Sequence, residues 1–113
     1  MSSDCIFCKI VRGEIPSKKV YENDQVLAFH DINPTAPVHV LVIPKVHIAR
    51  LDACTDADRE ALSALMLGVG ATAKAAGLED FRSIINSGPG VGQTVFHLHV
   101  HILGGRRLSW PNS

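Results

Sequence analysis

The apolar positions of this chain change period several times, and each change marks an element. Cys5 to Val11 reads as a short helical or turn element, stopped at Arg12-Gly13 and followed by Pro16. Lys19 to Glu22 and Val26 to Asp31 are strand-forming runs separated by Asn23-Asp24, which predicts an antiparallel hairpin. Val38 to Ile43 is apolar on both faces apart from His39, the pattern of a central strand covered on both sides, and Pro44 ends it. From Thr55, an N-cap with Asp58 three residues on, apolar residues recur at intervals of three and four through Leu62, Leu65, Met66 and Val69, with Gly77 as the stop. Strands around Arg82 to Asn86 and from Val95 to Leu103 complete the set. The expected fold is therefore α+β, a mainly antiparallel five-stranded sheet with one long helix and a short N-terminal helix. No repeat, low-complexity run or linker divides residues 1–113, which reads as a single domain.

Composition narrows the function. Apolar residues make up 46% of the chain and charged residues 19%, the balance of an ordinary globular protein, and runs such as Val38 to Ile43 are too short to cross a bilayer. No membrane partner is expected. Eleven basic residues against eleven acidic ones leave no general field for a nucleic-acid backbone, so any phosphate must be gripped locally. Met1-Ser2-Ser3-Asp4 has neither a basic nor an apolar leader region, which makes a cytoplasmic protein the expectation. The three cysteines cannot form a closed disulfide set; Cys5 and Cys8 have a spacing suited to metal or redox chemistry, and Cys54 reads as a packed or surface thiol.

The chemistry concentrates in His97-Leu98-His99-Val100-His101-Ile102-Leu103. On a strand, alternation sends all three imidazoles to one face, neighbours roughly 6.5 to 7 Å apart along the chain. Adjacent imidazoles disfavour one another's protonation, which keeps neutral rings available as nucleophile, base or metal ligand. Just upstream, Asn86-Ser87-Gly88-Pro89-Gly90-Val91-Gly92-Gln93-Thr94 offers glycine N–H groups and three polar side chains to an anion. An imidazole facing a phosphate cradle suits covalent nucleotidyl transfer, with the nucleophile's second nitrogen donating to a fixed acceptor such as a backbone carbonyl.

The pattern of residues 97 to 103, with Gly92-Gln93-Thr94 before it and Gly104-Gly105-Arg106 after it, closely resembles the histidine triad family, specifically its Hint branch of nucleoside phosphoramidate hydrolases. The resemblance runs from Cys5 to Pro111 and takes in Phe29-His30-Asp31-Ile32, Ala36-Pro37, His39, Ile43-Pro44-Lys45 and Trp110-Pro111. It implies that His99 is the nucleophile, that His101 contacts the phosphate, and that His97 and His39 support the site. Asn86, Gly92, Gln93 and Thr94 would bind the phosphate or leaving group, Thr94 standing where many relatives carry serine. Asp31 would bind the ribose hydroxyls, and Phe7, Ile10, Ile15, Phe29, Ile32 and Leu41 would line the base pocket, although each also suits plain core. His30 would be a pocket-wall or structural residue. The implied substrate is a purine nucleotide of the AMP type, no organic cofactor is needed, and a homodimer is implied, with the tail at Trp110 reaching the partner subunit.

Cys5 and Cys8 need two further ligands to close a tetrahedral Zn²⁺ site, and His47 and His97 are the chosen pair, an arrangement that resembles many bacterial triad proteins. Four protein ligands would make that zinc structural. Two other classes compete with the covalent mechanism. In one, His97, His99 and His101 hold a catalytic zinc, which strand geometry opposes because the outer two lie roughly 13 Å apart. In the other, the chain is a non-catalytic nucleotide-binding or adaptor protein, which gives no chemical reason to keep three imidazoles.

Overall fold

The computed structural model describes residues 5–110. Residues 1–4 and 111–113, which include the expected leaderless start and the end of the resemblance at Pro111, lie outside the described residues. Five antiparallel strands form one sheet in the order β1-β2-β3-β5-β4, with β1 Lys19–Glu22, β2 Val26–His30, β3 Val38–Pro44, β4 Phe81–Ile84 and β5 Val100–Gly104. A short helix α1, Ile6–Val11, lies on one side and a long helix α2, Arg59–Ala75, on the other. The fold is α+β, as the apolar periodicity requires.

Alternation along the strands sorts the core into two layers. Val26, Ala28, Val40, Val42, Val100 and Ile102 turn to α2, where Leu65 and Val69 meet them. The close approach depends on Gly68, because a Cβ there would stand 2.9 Å from Val26 Cγ2. Leu27, Phe29, Leu41 and Ile43 turn the other way and pack against Phe7 and Ile10 of α1. Six residues of helix cover only part of that second face, and His39, itself buried, and the half-buried His101 lie beyond the part that α1 packs on.

The hairpin is set by Asn23, whose Oδ1 accepts the N–H groups of Gln25 and Val26 at 2.8 and 2.9 Å. Thr55 and Asp58 form a reciprocal capping box, but the first turn they cap is a tight 3₁₀ turn over Asp56–Asp58, and the α-helix proper begins at Arg59. At the other end Ala76 caps α2 and Gly77 reverses the chain at φ +76°. Strand β2 stops at His30 rather than Asp31, and β4 lies at Phe81–Ile84 rather than between Arg82 and Asn86.

The larger correction concerns the last strand. It begins at Val100, not Val95, so His97 and His99 precede it. Hydrogen bonds outside the ladder explain this. Leu98 donates its N–H to the Ile48 carbonyl at 2.6 Å, and His97 turns its own carbonyl to the His99 ring at 2.7 Å.

Candidate functional site

Backbone groups with only one hydrogen-bonding role assign the histidine tautomers at this site. A carbonyl can only accept, so the contact of His99 Nδ1 with the His97 oxygen at 2.7 Å places the ring proton on Nδ1. The Nε2 lone pair of His99 is left available. By the same reasoning His97 Nε2 donates to the Pro44 oxygen at 2.8 Å, leaving its Nδ1 lone pair free to face the thiols. A peptide N–H can only donate, so Thr35 N at 3.1 Å from His39 Nδ1 makes that nitrogen an acceptor and puts the His39 proton on Nε2. His39 Nε2 in turn lies 2.9 Å from His101 Nδ1, which accepts, leaving the proton of His101 on Nε2.

Burial keeps three of these rings, His39, His97 and His101, neutral. It is the main cause that pushes His101 down to about 4, helped by the neighbouring His99 and His39 and opposed by the Asp31 carboxylate. His97, fully buried, is likewise pushed down to about 4, with His47 and His99 adding to the effect and the Pro44 carbonyl opposing it. His39 is lowered by burial despite the nearby Asp31. The mutual disfavour expected of neighbouring imidazoles is therefore present, as a smaller effect than desolvation.

The three triad rings divide their work. His99 and His101 lie side by side with ring centroids 5.0 Å apart, and Phe7 of α1 sets its ring edge-on against both His97 and His99. His97 belongs instead with Cys5, Cys8 and His47, whose ligand atoms all lie within 4.8 Å of one another. His97 Nδ1 stands 3.4 Å from Cys5 Sγ and 3.5 Å from Cys8 Sγ, and His47 Nδ1 stands 3.3 Å from Cys8 Sγ. Those separations fit a zinc ion, because bonds of about 2.3 Å to sulfur and 2.0–2.1 Å to nitrogen give a tetrahedral S···N edge of about 3.5 Å. The Pro44 carbonyl holds the His97 ring in the orientation such a ligand needs. Among the described residues the triad does not itself form a three-histidine metal group.

Asp31 lies just past β2, half-buried, with Oδ2 3.3 Å from His39 Nε2. On the uncovered part of the sheet Thr35, His39, Ile84, Asn86, His101 and Leu103 enclose a recess of about 210 Å³. A larger hollow of about 580 Å³ between residues 77–82 and 103–108 touches none of the histidines and carries no chemistry of this kind.

The glycine-rich segment is more internally bonded than its composition suggests. Gly88 and Gly92, at φ +107° and +100°, turn it around a short 3₁₀ turn at Pro89–Val91. The Gln93 side chain, expected to face a phosphate, is buried: its Oε1 accepts the Gly88 N–H at 2.8 Å and its Nε2 donates to Ala49 and Val95 carbonyls at 2.8 and 3.1 Å. Thr94 is exposed and Asn86 lines the recess, so these two offer the outward donors. Phe29, Ile10 and Leu41 pack with Phe7 as core, whereas Ile32 is 91% exposed on the turn after Asp31.

Several contributors escaped the sequence reading: the Thr35 N–H, the carbonyls of Pro44 and Ala49, and Ile84. Backbone groups have no side-chain signal, and Ile84 reads as ordinary strand.

The sequence profile of the HIT domain matches residues 12–108. An uncharacterised HIT-like protein of Synechocystis is 55% identical over 112 residues, covering 98% of both chains. A 14 kDa zinc-binding protein of Zea mays is 49% identical, with 96% of this chain and 88% of the relative covered. Among solved structures, a HIT family hydrolase from Legionella pneumophila superposes with a TM-score of 0.91 at 45% identity, over 97% of this chain and 100% of that one. A histidine triad protein from Clostridium difficile gives 0.89 at 50% identity, with 95% of each covered.

Proposed function

The chain belongs to the HIT domain family, and from that premise we propose that it is a purine nucleoside phosphoramidate hydrolase working through a nucleotidyl intermediate on His99. The observation that carries this reading is the 2.7 Å bond from His99 Nδ1 to the His97 carbonyl, which commits Nδ1 as the donor and leaves Nε2 as the nitrogen available to phosphorus. The Nε2 lone pair forms a bond to phosphorus as the bond from phosphorus to the amine breaks, and the amine departs with its electron pair and takes up a proton. Water then attacks phosphorus, the nucleoside monophosphate leaves, and His99 Nε2 recovers its lone pair. His101 Nε2–H, Asn86 and Thr94 are the donors for the phosphate oxygens, worth about 10²- to 10³-fold in rate for a well-placed one. The ribose hydroxyls go to Asp31, and the base lies along the rim where Ile32 stands exposed.

Cys5, Cys8, His47 and His97 would hold a structural zinc, and the similarity to a zinc-binding protein of Zea mays supports that assignment. With four protein ligands the ion's contribution is to tie α1 to the sheet, and no reaction step passes through it. The chemistry uses no organic cofactor, and a thiol pair that is not joined in a disulfide suits a cytoplasmic setting. The whole chain acts as one domain and as a homodimer, a reading supported by the edge strand β4 with Phe81 exposed and by Met66 and Leu67 exposed on α2. Trp110, 85% exposed, is then available to the partner's site.

Steady-state hydrolysis of adenosine and guanosine phosphoramidates by the wild type and His99→Ala tests the assignment. The wild type turns over and forms a base-stable, acid-labile adduct on His99, and the variant loses several orders of magnitude. Equal rates would refute it, and nucleotide binding without any turnover would support the adaptor class instead.

A further inference from the structure

Asp31 stands closer to the catalytic rings than a sugar contact alone requires. Its Oδ1 accepts the Asn33 N–H at 2.8 Å, which fixes the carboxylate, and its Oδ2 faces His39 Nε2 at 3.3 Å. The same His39 nitrogen lies 2.9 Å from His101 Nδ1. Because Thr35 N–H occupies His39 Nδ1, the ring has a single proton on this side; it is hydrogen-bonded to His101 Nδ1, with the Asp31 carboxylate 3.3 Å from the same nitrogen. A cation shared by Asp31, His39 and His101 is a poorer account of this cluster. His39 Nε2 carries its proton, and 2.9 Å is shorter than the edge of about 3.3 Å between two nitrogens bound to one tetrahedral ion.

We propose that Asp31 is a positioning residue that couples sugar recognition to the phosphate donor through His39. Ribose hydroxyls that donate to Asp31 Oδ2 occupy the acceptor that competes for the His39 proton. The His39 N–H then points wholly to His101 Nδ1, which holds His101 in the form with its proton on Nε2, directed at the phosphate. When the carboxylate draws the His39 N–H away and the His39–His101 contact opens, His101 is free to carry its proton on Nδ1 and to present a bare lone pair on Nε2, which repels a phosphate oxygen. No proton leaves His39 Nε2 in either arrangement; only its hydrogen bond changes partner. The inference rests on the reading that the substrate is a nucleotide attacked by His99, and it adds that ribose hydroxyls act on kcat as well as on binding.

The test compares adenosine 5′-phosphoramidate with its 2′,3′-dideoxy counterpart on the wild-type protein, which needs no variant. The dideoxy substrate should lose on the order of tenfold in kcat, the worth of one hydrogen bond to a charged group, beyond any rise in KM. In Asp31→Asn, with Asp31→Glu as the charge-retaining control, the two substrates should share one kcat. Nitrogen-15 NMR of the histidine rings should show His101 with its proton on Nε2 when AMP is bound and a mixture of both forms with dideoxy-AMP. A ribose effect confined to KM, or an identical His101 tautomer with both nucleotides, overturns the coupling. Absence of a His99 adduct with either substrate would instead sink the proposed function, so the two failures are distinguishable.

Discussion

The carbonyl oxygen of His97 lies 2.7 Å from His99 Nδ1, while the ring of the same His97 faces Cys5 and Cys8 at 3.4 and 3.5 Å. One residue therefore belongs to the thiol centre by its side chain and to the His99 ring by its backbone. Cys8→Ser should abolish stoichiometric zinc and lower the melting temperature. It should also reduce kcat by about 10- to 100-fold, the usual scale for losing an orienting partner. Metal analysis beside steady-state kinetics decides this; a metal-free variant with undiminished kcat would confine the centre to stability.

Acid should unfold this protein through its buried imidazoles. His101 titrates at about 4 in the folded chain, His39 is also lowered, and both return to an ordinary value of 6.5 on unfolding. The unfolded chain binds these protons first, so the stabilising contribution is fully present above pH 6.5 and is lost as pH falls from 6.5 towards 4. The slope is at most about 1.4 kcal/mol per pH unit for each histidine. Urea titrations between pH 7.5 and pH 4.5, with that range read at about half-unit steps, should show the decline in the wild type and a shallower one in His101→Gln.

Gln93 and Thr94 are neighbours with opposite commitments. Gln93→Leu leaves the buried Gly88 N–H and two carbonyls without their partner and should cost about 2–3 kcal/mol in urea unfolding. Thr94 is exposed, so Thr94→Val should keep stability within about 0.5 kcal/mol while lowering turnover by about 10²-fold. A stable, fully active Thr94→Val protein would remove the hydroxyl from the proposed phosphate site.

Phe81 lies on the edge strand β4 and is 42% exposed. Phe81→Asp should shift the proposed homodimer to monomer in sedimentation and leave the far-UV spectrum of the subunit intact, since the side chain supports little of the core. A wild-type protein that sediments as a monomer removes the dimer from the proposal.

The order and type of the elements were legible because the apolar period differs between strand and helix, and β3 announced its central place by being apolar on both faces. The capping box at Thr55 and Asp58 was legible for the same kind of local reason. The start of β5 was not, because Leu98 gives its N–H to Ile48, fifty residues away in the chain, and no local pattern reports such a bond. Gln93 illustrates a second limit. A polar side chain in a glycine-rich loop suits phosphate contact, and only the position of Ala49 and Val95 shows that its hydrogen bonds are already taken.

By itself the sequence determined which atoms were available: three alternating imidazoles, a thiol pair, a carboxylate and a loop rich in glycine, within a chain whose periodicity builds a layered sheet. Tertiary structure decided which of those atoms meet. Whether a histidine is nucleophile, ligand or donor depends on which nitrogen carries its proton. Carbonyl and N–H groups from Pro44, Thr35 and His97 set that, and every residue type offers a carbonyl alike. Their influence arises only when folding brings one of them within 3.1 Å of a particular ring nitrogen.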